Sequence, residues 1–344
     1  MLLKPRNNGR GGFVLIAVLL VVVLLAVVLL EFNYAARTDL HISDNCYRAE
    51  QALCCADAGV NVAIAAIRQT DDPNAPGPIA TLLDGSKQIS IGDAGFCTVS
   101  VAGENGKINV NALKMADGRP DRRKVEQLLR LIDLLNLQYG DGAPIGYGIV
   151  PAIIDWADAD GDLTYLPFVK RDNEGAERQF YEKLPTPYTC KNAPFDAINE
   201  LLLVKGITPA VFRGRPADDA TGTRAVSGLG QFLTVWGDGR IDINHASAEV
   251  IESLSEKITP PAARAIVEHR ATSPFTSIEE LRNVQGVTPE MILSIADLIT
   301  AKPDDRYYRI SARGVAGDFT REVIATVKKN GKTRGVTLLM REEP

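Results

Sequence analysis

Six acidic residues in the middle of the 344-residue chain are the ones whose type and spacing could do chemistry. They are Asp155, Asp158, Asp160, Asp162, Glu174 and Glu177. The first four fall within eight positions, and carboxylates so close repel one another unless water or a cation neutralises them. A hard cation with flexible oxygen coordination, typically Ca²⁺, is the natural partner for such a set.

The spacing of these acids differs from that of an EF-hand loop. Gly161 precedes Asp162 instead of following the third acidic ligand, and no Glu occupies the closing position. The sequence therefore does not assign the individual ligands of the cation. We expect one structural calcium ion near residues 155–177, and a solvated acidic loop is the alternative.

The bond between Gly12 and Phe13 is the second candidate for chemistry, because a membrane anchor begins there. Eighteen consecutive apolar residues run from Phe13 to Leu30. As a helix they would rise about 27 Å, close to a hydrocarbon thickness of roughly 30 Å. Lys4, Arg6 and Arg10 precede the run without any acid, which predicts a cytoplasmic N-terminus and a single pass across a membrane.

Two kinds of processing fit this N-terminus. The apolar run is longer than the usual 7–15-residue core of a secretory signal peptide, although Ala35-Ala36 keeps that alternative open. The basic leader ending in Gly12, followed by Phe13, resembles a type IV prepilin leader. That resemblance implies cleavage after Gly12 by a membrane peptidase and methylation of the new N-terminal Phe13.

The anchor must be joined to the rest of the chain, and the sequence predicts that one helix does this. Apolar residues recur at three- and four-residue steps as far as Ile67, and Asp71-Asp72-Pro73 ends the pattern. The helix would lie half in lipid and half against a soluble domain. A plain membrane anchor with a helical stalk is the alternative.

Composition limits the function of the remaining residues. The net charge is −5, and removal of the +3 leader would leave −8, which argues against general nucleic-acid binding. The five cysteines have no zinc-site spacing: Cys46, Cys54, Cys55, Cys97 and Cys190. On the oxidising side of a membrane, one bridge from the helix to Cys97 could form, and an odd count leaves at least one thiol unpaired.

The pattern predicts an α+β fold in which a large helical segment interrupts a small antiparallel sheet. Short strands are predicted at 87–91, 95–102 and 107–110, and a three-stranded meander at 307–340. The predicted divisions are a leader (1–12), an anchor and stalk helix (13–70), a sheet domain (71–112 with 303–344) and an inserted helical domain (113–302). A Gly-rich linker at 214–230 would divide the insertion into 113–213 and 231–302.

A short motif occurs twice in the chain. Gly106–Ala112 reads GKINVNA, and Gly239–Ala246 reads GRIDINHA. Each copy is predicted to be a short strand that ends in Asn. In the second copy, Asn244 or Ser247 would cap the helix that starts at Ala248.

Several segments in this order resemble general secretion pathway protein K, the large minor pseudopilin of type II secretion systems. They are the leader and anchor, 106–111, 154–160, 175–181, 191–196 and 200–207. The resemblance implies a pilin-like fold, a calcium site in the inserted region, and a place at the tip of a pseudopilus. It also implies partners: other minor pseudopilins, the major pseudopilin, the prepilin peptidase and an exported protein.

One residue of the anchor supports the tip position. Most pilins have Glu at the fifth residue after the cleaved bond, where it pairs with the N-terminal amine of a neighbouring subunit. Here that residue is Ala17. A buried charge without a partner is costly, and a subunit with none above it needs no such charge.

Two other classes of function are less compatible with the sequence. Residues 244–300 resemble helix-hairpin-helix repeats, so a membrane-anchored DNA receptor of competence type is the alternative function. Prolines at 260 and 261 remove N–H donors that such hairpins offer to phosphates, and Glu290 adds an acid. The three histidines form no metal-binding pair, and no nucleophile elbow or phosphate loop is present, so the chain is not predicted to be an enzyme.

Overall fold

The computed structural model describes residues 10–70, 78–83, 85–115, 117–139, 145–170, 173–217, 225–331 and 335–344. Most of the predicted leader, and part of the predicted linker at 214–230, lie outside these residues. The helices are α1 (Arg10–Gln69), α2 (Pro78–Leu83), α3 (Arg122–Tyr139), α4 (Ile149–Ala157), α5 (Arg178–Tyr181), α6 (Pro209–Arg213), α7 (Ala248–Ser253), α8 (Pro260–Thr272) and α9 (Pro289–Ile295). Short 3₁₀ turns lie at Gly92–Ala94, Val110–Ala112, Ile198–Leu203, Leu229–Gln231 and Ile278–Asn283.

The strands are β1 (Lys87–Ser90), β2 (Phe96–Gly103), β3 (Ile108–Asn109), β4 (Gly214–Arg215), β5 (Val226–Ser227), β6 (Leu233–Thr234), β7 (Ile241–Asp242), β8 (Ile299–Thr300), β9 (Asp305–Ala316), β10 (Phe319–Asn330) and β11 (Val336–Glu342).

Helix α1 is continuous over 60 residues, as its apolar periodicity predicts. Among the described residues, it is the one helix long and apolar enough to cross a membrane, and its apolar run from Phe13 to Leu30 is exposed. The helix begins at Arg10, three residues before the predicted cleavage bond. A peptidase that cuts at Gly12–Phe13 would therefore have to unwind its first turn.

The main sheet has five antiparallel strands in the order β1-β2-β9-β10-β11, and the predicted meander forms its last three strands. Alternate residues on β9 face α1: Tyr308, Ile310 and Ala312 are buried, as the two-residue period of a strand requires. The second half of α1 lies across this face. Its core side chains include Ala56, Ala63 and Ile67.

The helix and sheet approach so closely that their backbones touch. A Cβ added to Gly314 would lie 2.0 Å from the carbonyl oxygen of Ala52 and 2.5 Å from the amide nitrogen of Ala56. At the C-terminal end of α1, the Lys329 ammonium donates to the carbonyl of Ile67 at 2.6 Å and to that of Thr70. A cation there satisfies carbonyls that the helix leaves open and complements the helix dipole.

The helical part has a separate core, and its boundary differs from the predicted one. The strand predicted at 107–110 was assigned to the sheet domain. In the structure, β3 pairs in parallel with β6 instead, and Ile108 and Val110 are buried in the helical core. The N-terminal part of the main sheet therefore ends with β2 at Gly103, because the apolar side chains of Ile108 and Val110 pack with the helices.

The repeated motif builds the same hydrogen-bonded joint twice. The side-chain amide of Asn111 accepts from the Phe195 N–H (2.8 Å) and donates to the Phe195 carbonyl (3.0 Å). Asn244 makes the same pair of bonds to Phe275, at 2.8 and 2.9 Å. Of the two predicted caps for α7, Ser247 takes this role by accepting from the N–H three residues on.

Gly314→Ala tests the close contact between α1 and β9. The added Cβ meets backbone atoms that cannot rotate away, so the helix must shift and packing worsens. We expect the free energy of unfolding to fall by about 1–3 kcal/mol, the usual cost of overpacking. Urea denaturation of the detergent-solubilised full chain measures this. Gly146→Ala, with nothing within 4 Å of its Cβ, is the control and should be neutral.

Candidate metal centre

Helix α4 delivers the first acidic residues to one place. Its nine residues, IVPAIIDWA, are all buried, so the helix is fixed inside the core. Asp155 lies in its last turn, and Asp158 follows as the C-cap, with its N–H donating to the carbonyl of Ile154 at 2.9 Å. Trp156 packs edge-on against Tyr181 of α5, with ring centroids 5.2 Å apart. This contact holds α4 and α5 together beside the acids.

Three of the six predicted carboxylates converge. One oxygen from each of Asp158, Asp160 and Glu177 lies within 4.8 Å of the other two. Asp158 and Glu177 are only 6% and 5% exposed, whereas Asp160 is exposed. The cluster is therefore open to solvent on one side and enclosed on the other. We call these three residues the carboxylate cluster.

The loops around the carboxylate cluster orient its members. Asp160 accepts from the N–H of Asp162 at 3.0 Å, and the Asn192 side chain donates to the Asp160 carbonyl. Glu177 is the N-cap of α5, and one of its oxygens accepts from the N–H of Arg178 at 3.3 Å. Among the described residues, Asp158 Oδ1 and Glu177 Oε1 are buried without a hydrogen-bond partner.

Burial and mutual repulsion make the ionised cluster unfavourable. Burial, then the charges of Asp160 and Asp155, raise the pKa of Asp158 to about 6. Burial, then the charge of Asp155, raise the pKa of Glu177 to about 7. The Lys114 ammonium, which donates to the Ala157 carbonyl at 2.6 Å, opposes the rise at Asp158 only in part. Two unpartnered oxygens and uncompensated negative charge are features that a bound cation would satisfy.

The other three predicted ligands lie outside the carboxylate cluster. Asp155 is completely buried, and its Oδ1 accepts from the N–H of Thr164 at 2.8 Å. A Cβ on Gly175 would lie 1.9 Å from Asp155 Oδ2, so this glycine is needed for the close approach. Asp162 and Glu174 are exposed. Asp155 therefore fixes the two loops that carry the cluster, while Asp162 and Glu174 face solvent.

One contributor was not predicted from sequence. Asn192 has a left-handed backbone, with φ 48°, and its side-chain amide donates to the Asp160 carbonyl. Burial and the charge of Asp155 raise the pKa of Glu177, and a hydrogen bond from Asn192 opposes that rise in part. Asn192 is 32 residues from Asp160, and no local pattern marks it. The nearby Cys190 thiol is buried, which raises its pKa to about 11 and keeps it protonated at neutral pH. The donor set is thus made of oxygens, which suits a hard cation.

The comparisons with known proteins cover both halves of the helical part. Residues 106–214, which include the carboxylate cluster, match the family model described as "Type II secretion system (T2SS), protein K". Residues 238–300 match a helix-hairpin-helix motif. The type II secretion system protein K of Pectobacterium carotovorum subsp. carotovorum is 25% identical over 229 residues, which is 66% of this chain and 65% of that protein.

A solved structure resembles the whole fold. A chain of the GspK-GspI-GspJ complex from the type 2 secretion system of enterotoxigenic Escherichia coli superposes with a TM-score of 0.58 and 16% identity. The match covers 90% of this chain and 99% of that one. The fold is pilin-like, with one long apolar helix, a small antiparallel sheet and a large helical insertion. The family match over residues 106–214 and the relative support the resemblance to the K family drawn from sequence, and the solved structure shows the shared fold.

Glu177→Gln tests the repulsion within the carboxylate cluster in the absence of metal. The raised pKa means that the folded state holds a proton on Glu177 that the unfolded state has already lost between about pH 4.5 and 7. The contribution of Glu177 to the stability of the parent protein therefore falls as pH rises through that window, and the Gln variant avoids this loss.

We expect the free energy of unfolding, measured by urea denaturation with chelator, to be higher in the variant than in the parent. The difference should be small at pH 5 and on the order of 1 kcal/mol at pH 8. Glu174→Gln is the matched control, because that side chain is exposed and outside the cluster. A difference in unfolding free energy between Glu177→Gln and the parent that does not change with pH would contradict this account.

Proposed function

We propose that this chain is a minor pseudopilin at the tip of a type II secretion pseudopilus. In this role it primes assembly of the filament and contacts the exported protein or the outer-membrane channel. The observation that carries the proposal is the combination of one continuous 60-residue helix with a broad helical head on a pilin-like sheet. The helix supplies a filament subunit's shaft, and the head is too wide to be stacked beneath another subunit.

The anchor supports the same position. Residues 13–30 would hold the chain in the inner membrane as a single pass, with its N-terminus in the cytoplasm and the head in the periplasm. Ala17 leaves no carboxylate in lipid to neutralise the amine of a neighbour. Such a subunit pairs with those beneath it and has none above.

The partners follow from this position. The chain would pack by α1 against other minor pseudopilins and the major pseudopilin, after a prepilin peptidase has cut it. The comparison structure is a complex of GspK with GspI and GspJ, and equivalents of those two proteins are the expected neighbours. The chain has a structural role rather than an enzymatic one. Because its sequence contains no phosphate loop, a separate ATPase would supply the work of secretion.

The carboxylate cluster would hold a structural Ca²⁺ ion. Asp158, Asp160 and Glu177 are the expected ligands, and Asp155 keeps their loops in position. When bound, the ion supplies positive charge that neutralises the three carboxylates. The cluster joins the end of α4 to the start of α5, so its neutralisation would stiffen this side of the head.

The helix-hairpin-helix match at residues 238–300 raises a DNA-receptor role, which the local structure disfavours. Helices α8 and α9 both begin with Thr-Pro, so proline occupies a position where a free N–H would meet phosphate. At the second hairpin, the Glu290 carboxylate lies 4.0 Å from the Lys257 ammonium and offsets its charge. A protein-contact role for this segment is more consistent with these features.

Calcium should stabilise the protein through the carboxylate cluster. At a free concentration about 100 times the dissociation constant, a single site adds about 2.7 kcal/mol, which appears as a higher melting temperature. Elemental analysis should find bound calcium in the parent protein. Asp158→Asn should lose both effects, while Glu174→Gln, outside the cluster, should keep them. Unchanged melting of the parent on calcium titration would refute the site.

N-terminal sequencing tests the proposed processing. The mature protein should start at an N-methylated Phe13, because the peptidase cuts after Gly12 and the span stays in lipid. A start near Arg37 would instead indicate ordinary signal-peptide cleavage and a soluble head. In cells that lack the native gene, the parent chain should restore secretion, whereas Gly12→Val should remain uncut and fail. Restoration by the uncut form would contradict the proposal.

A further inference from the structure

Two of the five cysteines are buried in the same interface. Cys55 on α1 and Cys97 on β2 are both fully inaccessible to solvent. Cys46 and Cys54 are exposed on α1, and Cys190 belongs to the core of the helical part. The buried pair therefore lies where the anchor helix meets the sheet.

Neighbouring glycines locate the two side chains relative to each other. Cys97 lies directly opposite Gly314 in the β2–β9 ladder, and a Cβ on Gly314 would be 3.0 Å from the Cβ of Cys55. The Cys97 sulfur is 3.0 Å from a Cβ built on Gly59, one helical turn beyond Cys55. Both thiols thus occupy one thin layer between α1 and the sheet. The nearness of Cys55 also raises the pKa of Cys97, after burial itself.

Three other pairings are disfavoured by geometry. Cys54 and Cys55 are consecutive, so their Cα atoms are about 3.8 Å apart, below the usual range for a disulfide. Cys46 is nine residues from Cys55, which is about 13 Å along a helix. Cys190 packs in a different core, against the backbone of Asp155. Cys55 and Cys97 are both free thiols in this structure, and the Cys55 thiol donates to the Ala94 carbonyl at 3.6 Å. They are the pair whose side chains lie in the same layer between α1 and the sheet.

We propose that Cys55 and Cys97 form a disulfide that ties the anchor helix to the head. The two S–H bonds break and one S–S bond forms. Two protons and two electrons pass to the disulfide of a thiol–disulfide exchange protein, which leaves as a dithiol. Burial raises the pKa of both thiols, so exchange takes place while α1 and β2 are still coming together.

The proposed disulfide lies where it would resist separation of α1 from the sheet. The contact face of α1 consists largely of small residues such as Ala52, Ala56 and Gly59, which bury little apolar surface each. A covalent link supplies strength at the point where a force on the head would peel the helix away. This inference rests on the proposed periplasmic location of the head, because the exchange needs an oxidising compartment.

The test is peptide mapping of the full chain from its own membranes. Free thiols are blocked with N-ethylmaleimide before extraction, and the digest is analysed without reduction. The expected result is one linked peptide pair containing Cys55 and Cys97, with Cys46, Cys54 and Cys190 blocked or free. Reduction should lower the melting temperature in detergent by about 5–10 °C. Cys54→Ala should keep both the link and the shift, and the double variant Cys55→Ala/Cys97→Ala should show neither.

Free Cys55 and Cys97 in the membrane sample, or a link from Cys97 to Cys54, would overturn the inference. Treatment of reduced, detergent-solubilised protein with oxidised glutathione then separates the causes. If the bond forms there but not in cells, the proposed location is at fault. If it forms in neither, the geometry is at fault, and the pseudopilin assignment is unaffected.

Discussion

The contact between the backbone of α1 and that of β9 is the constraint on which the rest of the structure depends. Gly314 lets the carbonyl of Ala52 come closer than any side chain at position 314 would permit. On the helix, Gly59 likewise leaves room for the side chain of Val99. The helix can therefore lie flat along the sheet. Helix α1 has 60 residues and includes the membrane segment. The head can move with this helix only if the contact between α1 and β9 is tight.

The helical part is held together by a different principle. Its two Asn joints use side-chain amides to satisfy backbone groups of loops that are distant in sequence: Asn111 binds Phe195, and Asn244 binds Phe275. The first joint encloses the 83 residues between Asn111 and Phe195, and the second encloses the 30 residues between Asn244 and Phe275. The longer segment contains α4, α5 and the carboxylate cluster. The same joint thus occurs twice, and the carboxylate cluster lies within the segment that the first joint encloses.

The carboxylate cluster contains two of the five buried side-chain atoms that lack a hydrogen-bond partner among the described residues. Buried oxygens of Asp158 and Glu177 lack partners among the described residues, and each carboxyl has a raised pKa because burial and like charges oppose ionisation. Unpartnered buried acids are costly to a fold. Their convergence is the feature that supports the proposed cation site.

The sequence by itself determined the features that arise from local periodicity and composition. The continuous α1 and the C-terminal meander follow from apolar spacing and turn residues, because such patterns act over a few neighbouring positions. It also narrowed the candidate metal ligands to six acids. Tertiary structure alone decided which three converge, that β3 leaves the sheet for the helical core, and that Asn192 reaches Asp160. Those outcomes depend on contacts between residues far apart in the chain, and no local spacing encodes them.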